Sequence, residues 1–224
     1  MNIIRRNKLR RGGFAGLRET RLVMNPRLFR SQKEAGTSAG IGKFAYLADA
    51  RFLPLGDTRM HTHREIDIIS VMVEGRIQHD GSLEPGQELQ AGSIQVQRAG
   101  GEGFSHNEIN PDATKNRMIQ LWLIPETPDQ PAAYQLFQAK EKGRTRIYGG
   151  PPDQDETLAA RTVIEIVNLQ AGENLKQPGR SLTYVTVGDG TCNGEILTEG
   201  DLVDTRDFKY KATTDSKLIL AYEI

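Results

Sequence analysis

The sequence predicts an all-β protein, and three observations carry that prediction. Ser93-Ile94-Gln95-Val96-Gln97 alternates polar and apolar residues with the period of two that a half-buried strand requires. Turn chemistry interrupts the chain at short intervals, at Pro54 and Gly56, Glu74-Gly75, Asp80-Gly81, Pro85-Gly86, Ala99-Gly100-Gly101 and Asn110-Pro111. No stretch keeps the 3.6-residue spacing of a long amphipathic helix.

Taken in order, Arg117 to Ile124 is a nearly continuous apolar run suited to a strand buried on both faces. Short helical turns are expected only at Pro131 to Ala139 and near Glu156 to Ala160. A second series of strands follows, at Arg161 to Leu169, Leu182 to Val187, Leu202 to Asp204 and Lys217 to Ala221. The Pro-rich stretch Pro125 to Pro131, with Gly149-Gly150-Pro151-Pro152, reads as the connection between two units. The expected boundary lies near residue 140, giving units 1–140 and 141–224. The 224 residues allow either one large β domain or two of about 100 residues.

Composition excludes several classes. At 37% hydrophobic and 26% charged residues, the chain is neither fibrous nor of low complexity. Its longest apolar stretch, Ile66 to Val73, is broken by Asp67 and Ser70, far short of the roughly 20 residues a membrane span needs. Cys192 is the single cysteine, so no internal disulfide forms and nothing calls for an oxidising compartment. Met1 to Leu17 mixes Arg and Lys with apolar residues and does not read as a secretory signal, so a cytoplasmic location is expected.

Formal net charge is zero, with 29 basic against 29 acidic residues, but the distribution is uneven. Residues 1–30 hold nine Arg or Lys and one acid, Glu19, leaving 20 basic and 28 acidic residues elsewhere. Such an arm either meets an anionic partner or folds across the acidic body. With only Phe14 and Phe29 available for stacking on bases, the second reading is preferred and nucleic acid is not expected as a partner.

The chemistry gathers in the histidines. Of His61, His63, His79 and His106, three fall in two similar contexts: His61-Thr62-His63 before a strand, and His106-Asn107-Glu108 after a glycine-rich loop. Residues i and i+2 of a strand share a face, so two such strands facing each other bring three imidazoles and one carboxylate to a single point. That donor set suits a divalent transition metal and, in six-coordinate geometry, leaves two positions for substrate, water or dioxygen. Zinc in a tetrahedral site would be closed by the same four ligands and point to a structural role. His79, in the turn-proximal Gln78-His79-Asp80-Gly81, reads as structural. Glu65 and Asp67 share parity with His63 if no bulge intervenes, which makes either a candidate to orient an imidazole.

Several of these segments together resemble the pirin-like family of the cupin superfamily. The match runs from His61-Thr62-His63-Arg64 and Asp67 through Val73-Glu74-Gly75-Arg76-Ile77-Gln78-His79-Asp80-Gly81-Ser82. It continues with Ala99-Gly100-Gly101-Glu102-Gly103, His106-Asn107-Glu108, Gln120-Leu121-Trp122 and Pro125-Glu126, so that residues 55–130 are covered. The resemblance implies a bicupin: two stacked antiparallel β-barrels of jelly-roll type, with one metal in the first barrel. The family's ligands fall on His61, His63, His106 and Glu108. The second unit contains no histidine, as a degenerate cupin would. This chain departs from many relatives in having Thr62 after the first histidine and Asp67 where others have Glu. It also lacks an aromatic-rich segment over Gly12 to Phe29, which leaves the packing of the arm, and access to the site, open.

The family implies iron(II) first, with Mn, Co, Ni, Cu or Zn as alternatives, and two kinds of function. One is a quercetin 2,3-dioxygenase-like oxidoreductase that opens a flavonol-type aromatic substrate with O2, Glu108 serving as both ligand and proton acceptor. The other is a non-enzymatic regulatory protein whose metal redox state changes the surface offered to a protein partner. A monomer is expected, since no heptad pattern argues for assembly.

Overall fold

The computed structural model describes every residue of the chain except 84 and 85, so the Pro85-Gly86 turn falls partly outside the described residues. Three antiparallel sheets account for most of it. The first-half sheet has seven strands in the spatial order Ala133–Gln138, Ser93–Arg98, Asp67–Glu74, Arg117–Leu123, Phe44–Phe52, Leu17–Met24 and Arg11–Phe14. A four-stranded sheet, ordered His61–His63, Phe104–Ile109, Arg76–Gly81 and Gln87–Gln90, faces it and completes the first β unit.

The third sheet, of eight strands, contains every strand from Gly143–Gly150 onward, together with Asn2–Arg5 from the N-terminus. Asn2–Arg5 pairs with Asp201–Ala212, Asn2 opposite Asp204 and Arg5 opposite Asp201. The N-terminal arm thus crosses to the other unit, a pairing for which four residues carry no local signal.

Alternation along each strand decides what it buries. In Asp67–Glu74, Ile69 and Val71 point toward the second unit and join Ile164, Leu182 and Ile219 in one core that fills the space between the two large sheets. Ile68 and Met72 point the other way, into the first unit. Arg117–Leu123 divides in the same manner, Ile119 and Leu121 to the shared core and Met118 to the interior. A separate core around Val185, Phe208 and Leu220, which includes the buried Cys192, fills the second unit.

Two buried carboxylates bind the units across the shared core. Asp49 accepts hydrogen bonds from Arg117 at 2.7 Å and from the Tyr184 hydroxyl at 2.6 Å, while Asp67 accepts from the Tyr148 hydroxyl at 2.6 Å and from Arg98 at 3.3 Å. Buried charges persist only when paired in this way.

The helical turns expected at Pro131 to Ala139 and near Glu156 to Ala160 do not form. Residues 133–138 pair as an edge strand with Ser93–Arg98, since the ladder satisfies backbone groups that one isolated helical turn would leave open. The α-helix present is Pro26–Phe29, started by Asn25, whose side chain accepts from the Arg27 amide at 2.9 Å, and by Pro26 in the first helical position. Among the described residues no helix is long and apolar enough to cross a membrane.

Candidate metal centre

The strands His61–His63 and Phe104–Ile109 pair antiparallel with His106 opposite His61 and Phe104 opposite His63. Phe104–Ile109 also pairs with Arg76–Gly81, placing Glu108 opposite His79 and His106 opposite Gly81. Gly81 is required for that fit: a Cβ there would lie 2.3 Å from the Ser105 carbonyl oxygen.

This register gathers three imidazoles. The candidate ligand atoms of His61, His63 and His106 lie within 4.8 Å of one another. The Nε2 of His106 stands 3.0 Å from Nε2 of His61 and 3.1 Å from Nε2 of His63. At His61, Nδ1 lies 2.8 Å from the Arg59 carbonyl, which can only accept, so the proton sits on Nδ1 and the Nε2 lone pair faces the cluster. At His106, Nδ1 faces Nε2 of His79 at 2.8 Å, and the Gln97 amide lies 3.3 Å from that same His79 nitrogen. Burial, with neighbouring His61, lowers the His63 pKa to about 4; burial, with His63, His61 and His79, lowers that of His106 to about 2. Both imidazoles are therefore neutral at physiological pH. Neutral, converging nitrogens are what a divalent cation needs from its ligands, and the donor set fits one.

Glu108 lies two residues along the strand from His106, on the same face, and is 1% exposed. Its carboxylate is not within the 4.8 Å histidine group. It accepts from the Ser70 hydroxyl at 3.2 Å and from the Gln120 amide at 3.3 Å, and Gln120 in turn accepts from the Trp122 indole at 3.3 Å. Burial pushes the Glu108 pKa up to about 7, against the lowering effect of those two hydrogen bonds. The polar interruptions in two apolar strands, Ser70 and Gln120, thus sit opposite each other and serve Glu108.

His61, His63 and Glu108 open onto one cavity of 210 Å³ whose wall includes Tyr46, Trp122 and Phe29. Tyr46 and Trp122 are cross-strand neighbours with ring centres 4.4 Å apart, and Phe29, delivered by the short helix, lies 5.6 Å from Tyr46. The N-terminal segment therefore lends its aromatic ring to the mouth of the site.

The structure brings the three histidines together as their spacing implies, and it adds His79. Strand pairing rather than sequence proximity makes His79 a partner of His106, so no local pattern reveals it. Glu65 and Asp67 do not reach an imidazole. Glu65 adopts a φ of 52°, which breaks strand parity, and its carboxylate accepts from the Asp129 amide; Asp67 is turned to Arg98 and Tyr148.

Comparison with known proteins follows the same lines. A family model described as Pirin matches residues 34–123. A Pseudomonas aeruginosa protein bearing a provisional quercetin 2,3-dioxygenase name is 32% identical over 173 residues, covering 71% of this chain and 74% of that protein. The chain belongs to the pirin family. A second relative of this pirin, the quercetin 2,3-dioxygenase of Escherichia coli K12, is 24% identical over 170 residues, 71% of this chain and 73% of its own length. Among solved structures, the bacterial pirin YhhW of Escherichia coli in complex with nickel(II) matches with a TM-score of 0.84 at 20% identity, covering 98% of this chain and 97% of that one. A quercetin 2,3-dioxygenase from Acinetobacter baumannii matches with a TM-score of 0.75 at 19% identity, over 100% and 85% of the two chains. The fold is that of the bacterial pirin YhhW, built here from antiparallel β-sheets.

Proposed function

We propose that this pirin is a metal-dependent dioxygenase acting on flavonol-type aromatic substrates, with His61, His63, His106 and Glu108 as its ligand set. The observation that carries the reading is the convergence of His61, His63 and His106 beside a cavity with an aromatic wall, onto which His61, His63 and the buried carboxylate of Glu108 open. Iron(II) is the proposed occupant, since a mixed nitrogen and oxygen set without thiolate suits it. Once bound, the ion supplies Lewis-acid polarisation of a substrate oxygen and redox chemistry with dioxygen.

The protein's own groups do the rest. Tyr46, Trp122 and Phe29 hold a planar aromatic ring by stacking and exclude water around it. Glu108, held by Ser70 and Gln120, takes the proton from the substrate hydroxyl as it approaches. His79 fixes the ring of His106 through Nδ1.

Oxygen uptake with quercetin by the iron-loaded protein tests this reading. We expect turnover in the parent protein and a loss of about 10²–10⁴-fold in Glu108→Gln with metal still bound, the usual worth of a general base. Unchanged turnover in Glu108→Gln would remove its assigned role, and metal binding without oxygen uptake would contradict the dioxygenase reading.

A further inference from the structure

Away from the metal cavity, the outer face of the first-half sheet carries an unusual concentration of guanidinium groups. Arg11, Thr20 and Asp49 form one cross-strand row, and Gly13, Arg18 and Arg51 form the next. Arg18 therefore stands directly opposite Arg51, an arrangement that costs stability unless negative charge lies between the two. Arg6, from the N-terminal arm, closes the end of the face, and it lines a cavity of 340 Å³ together with Arg11, Arg18, Thr20, Asp49 and Arg51.

The acids nearby are already engaged. Asp49 is wholly buried beneath the face and accepts from Arg6, Arg51, Arg117 and Tyr184. Glu199 pairs with Arg6 and Arg117, while Glu19 uses its two oxygens on Arg21 and Tyr46. Arg18 makes its side-chain hydrogen bond to the Leu17 carbonyl, and Arg11 meets no carboxylate among the described residues. Five guanidinium groups, of Arg6, Arg11, Arg18, Arg51 and Arg117, thus stand against Asp49 and Glu199, a clear excess of positive charge. Gly13 presents no side chain opposite Arg18, and a second recess lined by Arg11, Gly12, Gly13 and Arg18 continues the cavity there.

We infer that this face is a binding site for a small phosphate-bearing molecule, held by Arg11 and Arg18 with Arg6 and Arg51 at its edge. The planar fork of arginine matches phosphate oxygens in pairs, and a multivalent anion removes the repulsion between Arg18 and Arg51. No aromatic side chain lines the cavity, so there is no surface on which nucleic-acid bases would stack. The basic arm is therefore divided in its use: Arg5 is paired with Asp201, Arg6 is anchored by Asp49 and Glu199 at the end of the face, and Arg11 and Arg18 carry the charge left for a ligand.

Isothermal titration of the full-length protein with pyrophosphate, at ionic strength held constant with sodium chloride, tests the site. One saturable site is expected, weakened at least about tenfold in Arg18→Gln, with Arg18→Lys between the two because it keeps the charge and loses the fork. Arg18 makes no ion pair among the described residues, so its replacement leaves the fold intact, and Arg206→Gln on the other unit is expected to bind as the parent does. Absence of saturable pyrophosphate binding, or equal binding by Arg18→Gln, would overturn the inference. So would retention of duplex DNA that pyrophosphate fails to displace.

Discussion

Nδ1 of His106 and Nε2 of His79 face each other at 2.8 Å, both side chains fully buried. For His106 to direct a lone pair from Nε2 at the cluster, its proton must sit on Nδ1, and His79 is placed to accept it. Replacing His79 with Ala leaves that proton unpaired and the ring free to turn. Metal affinity is expected to fall roughly 10–100-fold, read by competition with a chelating dye, while far-ultraviolet circular dichroism stays that of the parent. Parent-like affinity would show that His79 only fills space.

Trp122 bridges the aromatic wall and the carboxylate, stacking beside Tyr46 while its indole donates to Gln120. Trp122→Leu keeps the site apolar but removes both functions. In oxygen-uptake assays with quercetin the expected result is a higher KM, by about fivefold or more, equivalent to the roughly 1 kcal/mol that an aromatic pair contributes. Metal content should not change.

Asp49 and Tyr184 come from different β units and meet at 2.6 Å inside the shared core. Tyr184→Phe removes one donor to a charged acceptor and should cost about 1.5–3 kcal/mol in urea unfolding. Asp49→Ala leaves the fully buried Arg117 with only the partly exposed Glu199 and should cost more, about 3–5 kcal/mol. Equal losses in the two variants would mean that Glu199 alone suffices to pair Arg117.

The two interfacial carboxylates should respond to pH in opposite senses. Asp49 is buried, yet the hydrogen bond and charge of Arg117, with Tyr184 and Arg6, hold its pKa below the usual 3.8. Its contribution is present above 3.8 and is lost as pH falls through the lowered value. Asp67 is raised, burial outweighing the hydrogen bond from Tyr148 and the charge of Arg98. Its contribution is full below 3.8 and declines as pH rises through the raised value. Thermal unfolding from pH 3 to 7 should therefore show a shallower acid loss in Asp49→Asn and a steeper rise with pH in Asp67→Asn.

The fold and the three histidines were legible because both rest on the local two-residue period of a strand. His61 and His63 lie on one face whatever the strand pairs with, and so do His106 and Glu108. What depends on register was not legible. His79 joins His106 only because Phe104–Ile109 lies beside Arg76–Gly81. Ser70 and Gln120 read as flaws in apolar strands until their shared inward face is seen to meet Glu108. Residues 133–138 offered a helical turn, but pairing with Ser93–Arg98 prevailed, and Asn2–Arg5 joined the second unit through a contact some 200 positions away in sequence.

Whether His61, His63 and His106 hold a metal ion decides what this pirin can do. Elemental mass spectrometry on untagged protein purified without oxygen tests it directly, with a variant carrying His61→Ala and His106→Ala alongside. About one equivalent of a first-row transition metal is expected in the parent, with loss of that metal in the variant. A parent protein without metal, or a variant that keeps it, would mean that these imidazoles hold no ion.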